Sequence, residues 1–270
     1  MGAGWSLVVA RRDVERAPAE RVFATPHPSL ADHVLTYTAH DFPDSDPLPW
    51  RITPLGAVTV TIDLAAPPLR RSQDGADFPA SPVMGLRDRP LVVEQGGANR
   101  GIVVALTPAG AHALFGLPLK ELANTVLPLS DLLGDTALLT EQLAESPDWQ
   151  TCFTTLDSHL STRLCAGPVF SRPIHGALRL LTAKNPIRVA AVADEIGWTR
   201  QHLSTRFREQ IGLSPKAVAR VARLHRAVTL LNHPTAPSLA DVAHRCGYTD
   251  QPHLNRDFRA LTGCTPTDYR

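Results

Sequence analysis

The sequence lacks any apolar run that approaches the roughly 18 residues of a membrane-spanning helix. Its first segment, MGAGWSLVVARRDVERAP, places basic residues after a short apolar run, whereas a secretory signal places them before it. Cysteine is scarce, and its spacing is typical neither of a zinc site nor of a disulfide framework. We therefore predict a soluble, cytoplasmic protein with no membrane contact, whose cysteines are small buried side chains. They are Cys152, Cys165, Cys246 and Cys264.

Motifs of catalysis are also missing. The chain has no glycine-rich phosphate loop, no G-x-S-x-G elbow and no H-E-x-x-H pair. Cys152 and Cys165 have no nearby histidine and acid that would make a thiol reactive. His27, His33 and His40 lack the close His-x-His of a cupin-type metal site, so we place them on loop or strand surface. These absences predict no enzyme activity, no catalytic residue, no metal ligand and no cofactor.

Charge is divided unevenly along the chain. Residues 1–170 carry 12 Lys/Arg against 19 Asp/Glu, whereas the residues from Ser171 onward carry 15 against 7. A basic C-terminal half attracts a polyanion by counterion release, and an acidic N-terminal half limits non-specific binding by the whole chain. Taken alone, the division is equally compatible with a chance asymmetry of solvated faces.

The first half of the chain is rich in turns, since it holds 17 of the 24 prolines. Between the turns lie β-like runs at residues 33–39, 57–63 and 100–106. In the second run, valine and isoleucine alternate with threonine and aspartate, as in a strand that is buried on one face only. We predict a small β-rich barrel or sandwich.

Helical spacing of leucine and valine follows at residues 109–115, 129–145 and 149–164. The last two segments form a predicted hairpin, whose apolar stripe is either core packed on the β-rich part or a dimer seam; we favour core. A turn at residues 166–171 ends the predicted first domain, residues 1–166. The stripe consists of Leu132, Leu133, Leu139, Leu143, Phe153, Leu156, Leu160 and Leu164.

The strongest signal is an internal repeat. Residues 189–215 recur at 239–266, with a spacing of 50 and then 51 residues. Each copy reads as a short helix, a glycine and a second helix, which is the pattern of a helix-turn-helix. Gly197 and Gly247 can adopt the left-handed conformation that ends the first helix. The predicted units cover about residues 189–212 and 239–263.

Matching side chains support this interpretation. Thr199 and Thr249 are the predicted N-caps of the two second helices. In each copy an apolar pair at i and i+4 faces the first helix, near a small alanine, so the opposite face is free to enter a groove. The alanines are Ala193 and Ala243, and the pairs are Leu203 with Phe207 and Leu254 with Phe258.

A linker helix is predicted between the copies, over about residues 215–232, with Pro215 at its first position. About 17 residues of helix span about 25 Å. The second helices of the two units can then lie about one DNA turn apart, roughly 34 Å, and reach successive major grooves.

Two units, a linker helix and the signatures at residues 212–216 and 247–259 are now in place. By these features, the segment from about Arg172 to Arg270 resembles the DNA-binding domain of the AraC/XylS family of regulators. The resemblance implies a seven-helix DNA-binding domain joined to a variable sensing or dimerisation domain. Residues 82–164 also resemble the N-terminal part of an uncharacterised branch of that family, which indicates no ligand. The predicted fold is α+β: a β-rich N-terminal sensing domain with a helical hairpin, then an all-α domain, residues 171–270, with two helix-turn-helix units.

The outward faces of the two second helices are the candidate DNA contacts. Asn and Gln can pair with adenine and Arg with guanine, while Arg near the helix ends more often meets phosphate. Arg256 is the first choice for a base contact, and Arg200, Arg208 and Arg259 are assigned to phosphates. The full predicted set is Arg200, Gln201, Ser204, Thr205, Arg208, Gln251, Pro252, Asn255, Arg256 and Arg259.

His202 and His253 match each other in the repeat, as do Trp198 and Tyr248. We expect the histidines to be half-buried or to contact phosphate, not to bind metal or catalyse. The two aromatic residues are expected to pack the turn and not to stack on bases.

The predicted function is therefore a sequence-specific, effector-responsive transcription regulator, expected to activate. Its predicted partners are double-stranded DNA, an unidentified small-molecule effector, RNA polymerase and a second copy of the chain. Two alternatives remain: an enzyme in the N-terminal half with DNA binding as an accessory, and a constitutive architectural DNA binder. The missing catalytic motifs argue against the first. The length of the N-terminal half, far more than tethering requires, argues against the second.

Overall fold

The structure, a computed structural model, describes residues 9–10, 20–73, 75–183 and 187–269; most of the predicted first domain's initial segment lies outside them. The strands are β1 (Val9–Ala10), β2 (Glu20–Ala24), β3 (Val34–Phe42), β4 (Leu48–Ile52), β5 (Val58–Asp63), β6 (Leu69–Ser72), β7 (Pro82–Met84), β8 (Leu91–Gly96), β9 (Asn99–Leu106) and β10 (Val126–Pro128). The helices are α1 (Pro108–Phe115), α2 (Leu129–Leu133), α3 (Ala137–Ala144), α4 (Trp149–Ala166), α5 (Arg172–Thr182), α6 (Val189–Glu195), α7 (Arg200–Ile211), α8 (Pro215–Leu231), α9 (Leu239–Cys246), α10 (Gln251–Thr262) and α11 (Pro266–Tyr269).

Two antiparallel sheets form the first part of the chain. The first has the order β1-β4-β8-β6, and the second has the order β10-β7-β5-β9-β3-β2. The three β-like runs in the sequence are confirmed as β3, β5 and β9, which are neighbours in the second sheet. Val104 of β9 lies opposite Val60 of β5 and Tyr37 of β3. The β-rich N-terminal region and the helical C-terminal region confirm the predicted α+β architecture.

Strand β5 departs from the half-buried strand that its alternation predicted, because all six of its residues are buried. Its polar face is covered by the first sheet. Arg70 of β6 donates to both carboxylate oxygens of Asp63, at 2.7 and 2.8 Å. Such a bidentate, charge-assisted pair compensates in part for taking both charges out of water.

The expectation that His40 lies on the surface is wrong. Its side chain is buried on the same covered face, and its ring Nε2 lies 3.1 Å from the amide oxygen of Asn99. Burial lowers the pKa of His40, because the charged ring would lose its hydration. The physical reason for the error is that β3 lies between β9 and β2 in the second sheet, and the local pattern does not reveal that the first sheet covers this face.

The predicted helical hairpin is present with one break. The segment expected as a single helix over residues 129–145 is divided into α2 and α3, since Gly134 adopts a φ of +71° between them. Helix α4 carries the second half of the stripe. Leu143, Phe153 and Leu156 are buried in the chain's own core, so this part of the stripe is intrachain core, as favoured.

The four cysteines are free, but burial varies among them. Cys152 and Cys246 are buried as expected, and Cys264 is half-buried. Cys165 is exposed, contrary to the prediction, because it lies on the outer side of the last turn of α4.

Seven helices, α5 to α11, follow in the described part of the C-terminal region. Apolar residues of α5, α6 and α7, such as Ile174 and Phe207, belong to the same contiguous cluster as the sheets and α4. The end of α8, with α9 and α10, builds a second cluster around Leu224, Cys246 and Phe258. The first unit of the repeat is therefore packed on the N-terminal half, whereas the second has a core of its own.

None of the helices within the described ranges combines the length and the apolar composition that crossing a bilayer requires. The same residues contain no cluster of three or more histidine, cysteine or acidic side chains placed to hold a metal ion.

Candidate nucleic-acid interface

The repeat folds as two helix-turn-helix units. Helices α6 and α7 form the first unit, and α9 and α10 form the second. Gly197 and Gly247 have φ values of +72° and +78°, which confirms the left-handed turn expected after each first helix. Ala193 and Ala243 are buried, as a close crossing of two helices requires. The linker helix α8 joins the units and runs from Pro215 to Leu231.

The second helices begin with different caps. The Thr199 hydroxyl accepts the backbone N–H of His202 at 3.1 Å, as predicted. The predicted cap Thr249 is wrong, because the carboxylate of Asp250 accepts the N–H of His253 at 2.7 Å. The second copy has one extra residue at this turn, which moves the start of α10 and brings Asp250 into the cap position.

Replacing Asp250 with alanine should lower the free energy of unfolding by about 1 kcal/mol, since an orphan N–H at the start of α10 loses its acceptor. The matched variant Thr249→Ala should leave stability nearly unchanged, because its side chain does not cap the helix. Urea unfolding followed by circular dichroism measures both. Equal losses in the two variants would contradict the cap assignment.

The inner faces of α7 and α10 are as predicted. Leu203, Phe207, Leu254 and Phe258 are fully buried, and they hold each second helix against its unit. This fixes which side of each helix points away from the core.

The predicted DNA-contact residues lie on the opposite sides of α7 and α10, and most are exposed. Exposed side chains keep their polar groups available to a ligand, whereas half-buried ones are partly held by neighbours. The exposed residues are Arg200, Gln201, Thr205, Arg208, Pro252, Arg256 and Arg259, and the half-buried ones are Ser204, Gln251 and Asn255.

Two of these residues are already in contact. A guanidinium N–H of Arg208 donates to the hydroxyl of Ser204 at 2.9 Å, one helical turn away. The hydrogen bond places both side chains on one stripe of α7 and aligns the Arg208 side chain along the helix.

Asn255 differs from the other candidates on α10. Its amide oxygen is covered by protein and has no hydrogen-bond partner among the described residues. A buried acceptor without a donor is unfavourable by about 1–3 kcal/mol. A hydrogen bond donated to this covered amide oxygen would therefore be more favourable than one donated to an amide that water already solvates.

An acidic residue of α10 that the sequence analysis missed holds the second unit to the linker helix. The Asp257 carboxylate accepts from Arg220 at 2.9 Å and from Arg223 at 3.4 Å, both on α8. Because Asp257 is mostly buried, these bonds fix the orientation of α10 relative to α8. Alignment of the two copies could have revealed this role, because the first copy has Arg206, which is exposed, at the position of Asp257.

The matched aromatic residues pack the turns, as predicted. Trp198 contacts His202 edge-on with ring centroids 4.5 Å apart, and Tyr248 contacts His253 in the same way at 5.3 Å. Tyr248 is buried and His253 is half-buried, whereas His202 is exposed. These rings therefore support the start of each second helix.

The N-terminal half contacts the end of each second helix at the same position of the repeat. Gly212 ends α7 and Gly263 ends α10, with φ values of +81° and +78°. A Cβ on Gly212 would lie 2.7 Å from the Cα of Lys120, in the 3₁₀ turn at Leu119–Glu121. A Cβ on Gly263 would overlap the guanidinium of Arg51 from β4. At Gly212 the neighbour is backbone, so glycine is required for the close approach. At Gly263 the neighbour is the end of a flexible side chain, and glycine is favoured there by its φ of +78°.

Two hydrogen bonds accompany the contact with the second unit. A guanidinium N–H of Arg51 donates to the backbone oxygen of Thr262 at 3.2 Å. The ring Nε2 of His225, on α8, donates to the backbone oxygen of Pro54 at 3.0 Å. Burial lowers the pKa of His225, so the neutral ring is favoured in the folded chain. These contacts were not predicted, since they join residues far apart in the sequence.

Comparisons with known proteins match two separate stretches of the chain. Residues 192–270 match the family model of a helix-turn-helix domain, and residues 23–128 match a domain of unknown function, DUF6597. Over 80 residues the chain is 36% identical to the HTH-type transcriptional activator RhaS of Escherichia coli O9:H4 strain HS, a match that covers 30% of this chain. The chain spans 28% of the length of that relative.

Two solved structures are also similar. An AraC-type regulator from Chromobacterium violaceum is 27% identical, with 36% of this chain and 88% of that chain covered and a TM-score of 0.34. ToxT from Vibrio cholerae O395 is 9% identical, with 86% and 96% covered and a TM-score of 0.49. The match of residues 192–270 to the helix-turn-helix model confirms the predicted character of the C-terminal region.

Proposed function

We propose that this chain, a member of the AraC/XylS family of regulators by its C-terminal helix-turn-helix region, is a sequence-specific transcription regulator that reads two successive major grooves of DNA. The observation that carries the proposal is the repeat itself: α7 and α10 are each packed by a buried Leu/Phe pair and each present a polar, largely exposed face. The relative RhaS is a transcriptional activator by name. We propose the same mode here, by binding and not by catalysis.

The linker helix sets the distance between the two recognition helices, α7 and α10. Its 17 residues span about 25 Å at a rise of about 1.5 Å per residue. Adjacent major-groove sites on one side of a duplex are about 34 Å apart. With one unit at each end of α8, both helices can address such sites, while Asp257 restrains the second unit on α8.

We assign distinct roles to the exposed faces. Arg256 is the main base reader, through a bidentate contact with guanine, and Gln201 pairs with adenine. Asn255 pairs with adenine after its amide, whose oxygen is covered by protein in the free chain, turns outward. Arg208 and Arg259 lie one turn further along their helices and bind phosphate. The remaining candidates contact backbone or base methyl groups and are Arg200, Ser204, Thr205, Gln251 and Pro252.

The N-terminal region, residues 1–166, is proposed to bind a small-molecule effector and to form a dimer with a second copy of the chain. Residues 171–270 bind DNA. In the cytoplasm, an exposed surface of the DNA-bound protein contacts RNA polymerase. The proposal is supported by direct contacts between the two regions. Arg51 contacts the end of α10, and the 3₁₀ turn at Leu119–Glu121 contacts the end of α7. A change in the sheets can therefore alter the presentation of α7 and α10.

Selection of bound duplexes from a random pool, with the full chain and across a salt series, tests the proposal. We expect convergence on two short elements about one DNA turn apart, with affinity falling steeply as salt rises. Binding without sequence preference at any salt would favour a constitutive architectural protein. No binding at all would mean that the two units do not read DNA in this form of the chain.

A further inference from the structure

A cavity of about 160 Å³ lies in the N-terminal half, between the second sheet and the helices that cover it. Its inner walls are aliphatic. Val60, Ile62 and Val104 line it from the sheet, and Leu133, Leu139 and Leu156 line it from α2, α3 and α4. The cavity is separate from the polar face of β5, where Asp63 and Arg70 are already paired.

The size and lining of the cavity define the body of a ligand. An aliphatic protein cavity of roughly 150 Å³ stays dry and takes up benzene. A cavity of about 160 Å³ therefore suits one aromatic ring or a short aliphatic chain. A larger, polyhydroxylated molecule would leave its hydroxyl groups without partners among these walls.

The opening of the cavity carries one charge of each sign. Asp135 and Arg163 both line it and both are exposed, and the half-buried Thr136 and His159 line it beside them. The Asp135 carboxylate accepts the backbone N–H of Ala137 at 2.9 Å, at the start of α3. An anionic ligand would be attracted by Arg163 and repelled by Asp135, and a cationic ligand would be repelled by Arg163 and attracted by Asp135. A neutral group that both donates and accepts hydrogen bonds satisfies both sides.

The wall at the opening includes an apolar side chain that is exposed to solvent. Gly134 breaks the helical segment between α2 and α3, and Leu138 lines the cavity although its side chain is 65% exposed. An exposed leucine beside an apolar cavity is covered when a ligand enters, which adds buried apolar area to binding.

We propose that this cavity binds a small neutral molecule, of about the size of one aromatic ring with a hydroxyl group at the opening. Its apolar body lies between Val104 and Leu156, and its hydroxyl group lies between Asp135 and Arg163. That such a molecule is the effector rests on the proposed regulator function, but its binding to the chain does not.

Binding is tested without DNA, with benzyl alcohol as the probe and thermal unfolding of the full chain as the measurement. We expect the melting temperature to rise by about 3 °C at ten times the dissociation constant. Leu133→Trp fills the cavity and should abolish the shift. The matched variant Leu132→Trp, at a half-buried neighbour outside the cavity lining, should retain it. Leu138→Trp replaces Leu133→Trp if that variant does not fold.

The charge of the ligand is tested with benzoate and benzylamine, which keep the ring and change the polar group. Benzyl alcohol should bind at least tenfold more tightly than either. Arg163→Gln leaves Asp135 unopposed and should shift the preference toward benzylamine, whereas Arg172→Gln, outside the cavity lining, should not. A wild-type preference for benzoate or benzylamine would overturn the neutral class. An unchanged shift in Leu133→Trp, or in Leu138→Trp where it replaces that variant, would overturn the site, and so would no shift with the wild type, whatever the outcome of DNA selection.

Discussion

Arg256→Ala should weaken binding to the selected duplex by about 5- to 150-fold, the equivalent of about 1–3 kcal/mol for a lost bidentate base contact. Arg256 is exposed on the outer face of α10, opposite the buried Leu254 and Phe258. The loss should be confined to duplexes that carry the preferred base, so that sequence preference relaxes within one of the two elements. Competition binding with single-base variants of the selected duplex measures it.

Two further variants serve as controls for charge. Arg89→Ala removes an equal charge from an exposed site in the N-terminal half and should change affinity by less than about twofold. Arg259→Ala should weaken all duplexes alike and reduce the salt slope by about one, as a lost phosphate contact does. If Arg256→Ala behaves like Arg259→Ala, then Arg256 binds phosphate and the base reader lies elsewhere on α10.

Gly212→Ala should be the most destabilising of the glycine substitutions in the first unit, by about 3 kcal/mol. A left-handed backbone alone disfavours alanine by about 1–2 kcal/mol. The new methyl group would also lie 2.4 Å from the Cβ of Ala123 and 2.7 Å from the Cα of Lys120, where backbone must move. Urea unfolding of the full chain measures the loss.

Gly197→Ala is the matched control. Gly197 has a φ of +72°, and among the described residues no atom outside its own turn lies within 4 Å of the place that a methyl group would take. The substitution should be destabilising by about 1 kcal/mol from backbone strain. The difference between the two variants isolates the contact of α7 with the 3₁₀ turn at Leu119–Glu121. Equal losses would show that the N-terminal half does not hold the end of α7.

The sequence was sufficient for features whose cause is local. The recurrence of residues 189–215 near residue 239 predicted two units, and the positions of Gly197 and Gly247 predicted the turns. Inner and outer faces followed from the i, i+4 spacing of leucine and phenylalanine, because helical periodicity places such residues on one side. These predictions depend on backbone conformation and side-chain spacing within about ten residues.

Predictions from local patterns were wrong where other parts of the chain determine the burial or capping of a residue. The alternation in β5 predicted one exposed face, yet the first sheet covers that face and Arg70 meets Asp63 there. The same cover buries His40. A one-residue difference between the repeats moved the cap from Thr249 to Asp250, which pattern matching at fixed spacing overlooked.

By itself, the sequence determined that this protein has a β-rich first part and a duplicated helix-turn-helix, since periodicity, glycine turns and buried apolar pairs act over a few residues. Only the tertiary structure decided how the parts meet. Arg51 donates a hydrogen bond to the backbone of Thr262, 211 residues away in the sequence, and His225 donates one to the backbone of Pro54, 171 residues away. The cavity beneath α2–α4 likewise exists only because strands and helices from distant segments pack together. Such contacts follow from the topology of the whole chain, which no local spacing encodes.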